Sequence, residues 1–221
     1  MPTQTFWNLP APKREGLIAI ALEEFADNEY AGASVSRIVA RAGIAKGSLY
    51  QYFADKGDLF LFMVEHAGQQ LLERLRGLEP EATGGDFFEL LRRQMSASTR
   101  AALLLPLHSR LLRRAYVEQH PFREELERRG QAASGGHFRL LIEHGIAAGT
   151  LAPDLDPELA GALIGAMLNG VGPLVTARLG LSAEAAALGD PASFDRPEVE
   201  QIFDTVIRIL KRGLLAEREQ A

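Results

Sequence analysis

The chain has 221 residues, of which 47% are hydrophobic, so it can bury a substantial core in one or two domains. It has no cysteine, which excludes disulfide bonds, thiolate metal sites and a thiol nucleophile. Abundant Ala, Leu, Arg and Glu with few β-branched residues predict an all-α protein. The net charge is −5. The N-terminus has no signal-peptide pattern, so we expect a cytoplasmic protein.

The N-terminal quarter is predicted to contain a loose arm at residues 1–9 followed by three helices. Apolar residues recur at helical spacing over about 10–28, after prolines that suit a first helical turn. Ser34 is a good N-cap for a second, short helix, which ends at Gly43. A third helix is predicted over about 45–53.

The rest of the chain is predicted to form six further helices. They run over about 56–78, 86–102, 106–121, 122–149, 157–179 and 197–216, with a loop at 180–196. From Leu159 to Ala177 no residue is charged, which approaches the roughly 20 residues needed to cross a bilayer. Asn169, Pro173 and several glycines interrupt this stretch. We therefore predict a buried helix at an interface and no membrane partner.

A local basic segment stands out in this acidic chain. Between Ser34 and Ala54 there are three basic residues, Arg37, Arg41 and Lys46, and no acidic one. A basic segment in an otherwise acidic protein favours contact with phosphates at that segment and disfavours it over the rest of the surface.

The same segment has the organisation of a helix-turn-helix, because two short helices flank a glycine-containing turn. The second of them would enter the DNA major groove. Leu49 and Phe53 would form its buried side, and Gly47 would let the backbone approach DNA closely. Cationic, amide and hydroxyl side chains that can bind bases and phosphates would face outward: Lys46, Ser48, Gln51 and Tyr52, with Tyr50 at the flank.

The stretch from about Arg14 to Leu61 resembles the N-terminal domain of the TetR/AcrR family of bacterial repressors. The matching residues are Ala21, Phe25, Ser34, Ile38, Ala42, Gly43, Gly47, Ser48, Leu49, Tyr50, Tyr52, Phe53, Lys56 and Leu59. More weakly, Gly145 to Pro157 resembles the connection before the eighth helix of that family. The resemblance implies a three-helix DNA-binding domain at 10–56 and a six-helix ligand-binding and dimerisation domain at 57–221.

The resemblance also implies which residues contact double-stranded DNA. They are Ser34, Ser36, Arg37, Lys46, Gly47, Ser48, Tyr50, Gln51, Tyr52 and Lys56. Of these, Ser34, Ser36, Arg37, Tyr50 and Lys56 would contact phosphates, and the others would face the groove. Two alternatives stay open: Arg37 and Arg41 could form a solvated face, and the two tyrosines could pack on a neighbouring helix. Ala45 stands where a capping side chain is common, a departure that costs about 1 kcal/mol of local helix stability.

In this family the C-terminal domain binds an inducer and forms a homodimer. The apolar and polar candidates for ligand contact are Phe62, His66, Phe88, Met95, His108, Leu111, Tyr116, Phe138, Ile142 and Met167. The candidates for the dimer interface are Gly161, Gly165, Asn169, Ile202, Phe203, Val206, Ile209 and Leu210. In both sets the alternative is that the residues complete a protomer's own core. Because few candidates are charged, we expect a hydrophobic or amphipathic ligand.

No cofactor or metal site is expected, since His137 and His144 lie seven apart without a third ligand at suitable spacing. Motifs of hydrolases, zinc proteases and nucleotide-binding enzymes are absent, so we predict that the protein is not an enzyme. The predicted function is a sequence-specific repressor that a small ligand releases from an inverted-repeat operator. The alternatives are a DNA-binding protein without sequence preference and, more remotely, an enzyme with an incidental helix-turn-helix head.

Overall fold

The computed structural model describes residues 1–78, 86–130, 136–180 and 196–214. Within these ranges the regular structure is α-helical and contains no β-strand, which confirms the predicted all-α fold. The chain divides into two compact units, Met1–Glu73 with Leu105–Glu127 and Arg74–Leu104 with Arg128–Ala221. Unit 1 therefore contains more than the segment predicted to bind DNA, and the functional boundary after residue 56 stays a prediction.

The described helices follow in chain order. They are α1 (Gln4–Trp7), α2 (Ala11–Asp27), α3 (Val35–Ala42), α4 (Lys46–Tyr52), α5 (Lys56–Leu78), α6 (Phe87–Leu104), α7 (Pro106–Val117), α8 (Arg123–Gly130), α9 (Gly136–Ala147), α10 (Pro157–Arg178) and α11 (Pro197–Leu214). Helices α8 and α9 both lie within the range predicted as a single helix over 122–149, and residues 131–135 between them lie outside the described ranges. Most of the predicted loop at 180–196 also lies outside them.

The arm predicted to be loose is instead structured. Residues Gln4–Trp7 form a helical turn, and the side chain of Phe6 is fully buried. The prediction failed because the arm is polar on average, whereas one aromatic side chain in it supplies enough apolar surface to dock the segment.

The core of unit 1 is formed where α2 packs along α7 and where α3, α4 and α5 close over them. Its largest fully buried side chains include Phe25, Ile38, Leu49, Phe53 and Met63. Leu49 and Phe53 are the two residues that the sequence predicted for the buried side of the second helix of the helix-turn-helix. That prediction is confirmed, and it fixes which side of α4 faces solvent.

The core of unit 2 is formed by α6, α9, α10 and α11. Asp156 caps α10 by accepting hydrogen bonds from the backbone N–H groups of Glu158 and Leu159, at 2.9 and 3.2 Å. Helix α10 is long and apolar enough to cross a membrane, with a mean hydropathy of 1.6 over its most apolar window. It packs on α6, α9 and α11 on one side, and 31% of that window is buried within the single chain.

Candidate nucleic-acid interface

The turn between α3 and α4 is set by local backbone chemistry. The Ser34 hydroxyl accepts a hydrogen bond from the Arg37 N–H at 3.3 Å, which caps α3. Gly43 ends the helix with a φ of 64°, a conformation that glycine adopts without steric cost. The Ile44 N–H then bonds to the Val39 carbonyl at 3.1 Å, which closes the turn. Helix α4 begins directly afterwards, and Ala45 provides no side-chain cap, as the sequence predicted.

Most of the residues predicted to face DNA lie on the solvent side of α4. Lys46, Gly47 and Gln51 are exposed, and 46% of Tyr50 is exposed. Ser48 and Tyr52 are half-buried, and the Tyr52 ring lies 6.2 Å from that of Phe6. The outward ring of Tyr50 makes no contact with another aromatic ring of unit 1. This face of α4 is therefore accessible to a ligand as large as DNA.

The Arg37 side chain is bound by groups of the same chain. Its guanidinium donates hydrogen bonds to Glu24 at 2.5 and 3.0 Å and to the Gly32 carbonyl at 2.8 Å. Glu24 is only 5% exposed and also accepts the Ser34 N–H at 2.8 Å. Burial alone raises the pKa of Glu24, but the hydrogen bonds from Arg37 and Ser34 outweigh it and hold the pKa below its ordinary value. The pair therefore fixes the start of α3 against α2, and this role was missed from the sequence.

The basic segment is partly neutralised by acids from α2. Arg41 forms an ion pair with Glu23, in addition to the pair between Arg37 and Glu24. Across the described part of the chain, Lys46 forms no ion pair. The positive charge available to a phosphate on this surface is thus concentrated at the start of α4 rather than spread along α3.

Lys56 is placed on an aromatic platform. Its Nζ lies 4.5 Å from the centroid of the Tyr30 ring and donates a hydrogen bond to the Ala31 carbonyl at 3.3 Å. Burial lowers the pKa of Lys56, as does the charge of Arg37, while Glu24 opposes the shift. The ammonium is therefore held at the first residue of α5 instead of moving freely in solvent.

Tyr30 is in turn fixed by aromatic neighbours. Its ring centroid lies 5.0 Å from that of Phe60 and 5.5 Å from that of Phe122, both in edge-on geometry. His120 stabilises the connection between α7 and α8. One of its ring nitrogens lies 2.8 Å from the Ala115 carbonyl, and the other accepts a hydrogen bond from the Phe122 N–H at 3.2 Å. The connection between α7 and α8 therefore packs directly against the residues that hold Lys56.

A TetR family transcriptional regulator from Chloroflexus aurantiacus J-10-FL is 35% identical, and the match covers 98% of this chain and 100% of that one with a TM-score of 0.84. The chain belongs to the TetR family. The family model described as bacterial regulatory proteins, tetR family, matches residues 17–63, which include the whole helix-turn-helix. The TetR assignment agrees with the prediction of a regulator and not an enzyme.

Two curated proteins extend the comparison of this TetR chain. The fatty acid metabolism regulator protein of Bacillus subtilis (strain 168) is 28% identical over 163 residues, which are 69% of this chain and 78% of that protein. The HTH-type transcriptional activator FasR of Mycolicibacterium smegmatis is 36% identical over 69 residues, which are 31% of this chain and 32% of that protein.

The residues predicted to contact a ligand divide between the two units of this TetR chain. Unit 1 holds Phe62, His66, His108, Leu111 and Tyr116, and unit 2 holds Phe88, Met95, Phe138, Ile142 and Met167. Several belong to the cores, since Leu111, Ile142, Met95 and Phe88 are almost completely buried. Their contact with a ligand stays a prediction, and their burial agrees equally with a structural role.

Two histidines of unit 1 form a pair on α5 and α7. The ring centroids of His66 and His108 lie 6.1 Å apart, and the His66 ring stacks on Phe62. Burial lowers the pKa of His66, although Glu73 opposes the shift, and burial together with His66 lowers the pKa of His108. Both shifts favour the uncharged imidazole over the protonated one. Within the described residues no three His, Asp or Glu side chains are grouped to hold a metal ion.

Two small residues of α10, Gly161 and Gly165, face the inside of unit 2. A Cβ on Gly161 would lie 3.0 Å from the Arg139 nitrogen, and one on Gly165 would lie 3.5 Å from the Phe138 ring. These glycines therefore let α9 approach α10 within one chain, which is the alternative that the sequence left open. Phe203 and Leu210 of α11 are buried, Ile202 and Val206 are partly buried, and the Asn169 side chain lies outside the described part of the chain.

The outward side of α10 and α11 carries a different set of apolar residues. They are Leu159, Leu163, Met167, Leu174 and Ile209, and all but Met167 are more than half exposed. A shallow apolar depression lies among them, lined by Leu155, Leu159, Leu163 and Met167. Of the residues predicted for a dimer interface, Ile209 lies on this surface and Leu210 lines the depression.

Proposed function

We propose that this TetR protein is a cytoplasmic repressor that binds an inverted-repeat operator as a homodimer and leaves it when a small hydrophobic ligand binds. The observation that carries the proposal is the solvent face of α4, where Lys46, Tyr50 and Gln51 stand out from a helix anchored by Leu49. These side chains combine a cation for phosphates with an amide and a hydroxyl for base edges.

A homodimer is supported by the outward apolar face of α10 and α11. Leu159 and Leu163 are 59% and 58% exposed, which is unusual for leucines one helical turn apart on a long helix. A second copy of the chain is the occupant that fits, because an inverted-repeat operator presents two equal half-sites about one helical turn apart.

The substitution Leu163→Glu tests this surface. It places a charge in the proposed interface, so we expect a monomer in sedimentation and a loss of operator affinity of at least tenfold. Leu140→Glu is the matched control, since Leu140 is equally exposed at 59% on α9 of the same unit. A Leu163→Glu protein that remains dimeric would exclude this face as the interface.

A fatty-acyl compound is the ligand that we propose. The predicted contact residues are mainly apolar and aromatic, which suits a long hydrocarbon chain. The relative from Bacillus subtilis is named for fatty acid metabolism. Palmitate and palmitoyl-coenzyme A should release the protein from its operator, while coenzyme A alone should not. Release by none of these compounds would contradict the proposed ligand class.

Release by a ligand requires a coupling free energy between two sites, and that coupling is reciprocal. If the ligand weakens operator affinity by a given factor, the operator must weaken ligand affinity by the same factor. Helix α5 supplies a continuous path in the chain, because it begins beside the DNA-facing helix and runs on through residue 73 into unit 2. A ligand that binds but leaves operator affinity unchanged would contradict this mechanism.

Selection of binding sites from a random duplex library, at physiological salt, tests the DNA-binding function. We expect an inverted repeat to be enriched. Enrichment of no sequence, both before and after the protein is unfolded to remove ligand and refolded, would refute the proposal. A strong salt dependence with equal affinity for random DNA would favour the alternative of binding without sequence preference.

Activation instead of repression is the second candidate. It is favoured by the 36% identity to FasR, which is named as an activator and matches over 69 residues. In vitro transcription from a promoter that carries the selected site separates the two functions. Lower transcript yield on adding the protein supports repression, and higher yield supports activation.

A further inference from the structure

The N-terminal arm caps the C-terminal end of the DNA-facing helix. The Thr3 hydroxyl donates a hydrogen bond to the Gln51 carbonyl at 2.7 Å, and the Thr3 N–H donates to the Tyr52 carbonyl at 2.9 Å. These carbonyls belong to the last turn of α4, where the helix itself offers no donor. The arm thus satisfies two backbone groups that would otherwise require water.

Phe6 anchors the arm in this position. Its side chain is fully buried, and its ring centroid lies 5.0 Å from that of Phe53 and 5.4 Å from that of Phe62. The arm cannot leave α4 without exposing this ring to water, which opposes detachment. Phe53 directly follows α4, so the same aromatic contact holds both the arm and the end of the helix.

Helix α4 depends on such external support. It has seven residues, its N-cap Ala45 makes no side-chain hydrogen bond, and Leu49 is its one buried residue. A helix of this length is unstable in isolation, because few hydrogen bonds compensate for the cost of nucleation. The two bonds from Thr3 act at the end of the helix that carries Gln51 and Tyr52, both predicted to contact DNA.

We propose that Thr3 is a positioning residue for operator recognition, which orders the last turn of α4 before DNA binds. This inference rests on the proposed DNA-binding function. From Pro2 to Pro10 the arm carries no charged side chain, so Thr3 contributes nothing to phosphate attraction. Its loss should therefore weaken binding to the selected site and leave binding to scrambled DNA, and the salt slope, unchanged.

Three variants isolate the hydroxyl. Thr3→Val removes the donor and keeps the shape, and Thr3→Ser keeps the donor. Thr5→Val makes the same chemical change at an exposed threonine two residues away. Loss of one hydrogen bond should weaken affinity for the selected site roughly fivefold in Thr3→Val alone. Thr3→Ser and Thr5→Val should remain close to the wild type.

Amide hydrogen exchange provides a readout without DNA. The Phe53 N–H bonds to the Leu49 carbonyl at 2.9 Å and closes the last turn of α4. Its exchange should accelerate roughly fivefold in Thr3→Val and not in Thr5→Val, because the last turn opens more often without the cap.

The outcomes separate the inference from the function on which it rests. A wild type that prefers no sequence would refute the proposed function, and the positioning role with it. A wild type that prefers one sequence, while Thr3→Val matches Thr5→Val in affinity, would refute the positioning role alone. Equal weakening of Thr3→Val on selected and scrambled DNA would also overturn it.

Discussion

Gly57 lies at the contact between the start of α5 and the corner that joins α7 to α8, and alanine should not fit there. A Cβ at this position would overlap Cζ of Phe122, lie 3.0 Å from its Cε2 and lie 3.1 Å from Oδ1 of Asp55. The Phe122 ring cannot rotate away freely, because Tyr30 and Phe60 pack against it at centroid distances of 5.5 and 6.2 Å.

Two opposing terms set the size of the effect of Gly57→Ala. Forcing a methyl group into a packed site costs about 1–3 kcal/mol. Alanine also favours the helix by up to about 1 kcal/mol over glycine, and by less in the first turn. We therefore expect a net destabilisation of about 1–2 kcal/mol, which corresponds to a fall in Tm of roughly 2–8 °C for a chain of this size.

Calorimetry at fixed protein concentration measures this change, with Gly68→Ala as the matched control. Gly68 lies on the same helix, and a Cβ there would meet no atom within 4 Å. The control should raise Tm, since it gains helix propensity without a clash. A double-mutant cycle with Phe122→Ala then isolates the contact, and the coupling should be about 1–3 kcal/mol.

A Gly57→Ala protein that is as stable as Gly68→Ala would refute this packing argument. So would a Gly57→Ala substitution that costs the same in the wild type and in the Phe122→Ala background, because the clash is then elsewhere. A confirmed clash should also weaken DNA binding, since the displaced ring supports the tyrosine platform of Lys56.

Four further substitutions, one of them with a matched control, test the site and the fold. Glu24→Gln should cost about 1–2 kcal/mol at pH 7 through weaker hydrogen bonds to an uncharged acceptor. The folded-state pKa of Glu24 lies below its ordinary value of 4.5. The difference in unfolding free energy between wild type and variant should therefore be complete above pH 4.5 and disappear as the pH falls through the folded-state pKa. Unfolding curves measured at a series of acid pH values test this. Gly161→Ala should lower Tm, because its Cβ would lie 3.0 Å from a backbone nitrogen of α9. Gly170→Ala on the same helix is the control and should not lower Tm, because a Cβ there would meet no atom within 4 Å. Lys56→Ala should weaken binding to all DNA and reduce the salt slope by about one unit, while Gln51→Ala should relax preference at one or two base pairs; equal effects of both on random DNA would contradict this division of roles.

Local signals in the sequence were sufficient to predict the helices that carry the surface proposed to bind DNA. Ser34 and Gly43 predicted the ends of α3, and Leu49 with Phe53 predicted the buried side of α4. Asp156 predicted the start of α10. Each of these signals acts between residues close in the chain, through a cap, a backbone conformation or a helical period, so it is visible without knowledge of the fold.

Partners distant in the chain were decided only by the tertiary structure. The sequence shows that Gly161 permits a close helix approach, but the path of the chain makes α9 of the same protomer the neighbour. The sequence also shows Arg37 as a cation near a helix start, whereas the fold brings a buried carboxylate from α2 against it. Phe6 looks like one of two aromatic residues in a short arm until the folded aromatic cluster provides a place to bury it. Composition and periodicity determined the helices and the solvent face of α4. Long-range packing determined which residues hold that face in position, because a side chain's partner depends on which segments the folded chain brings together.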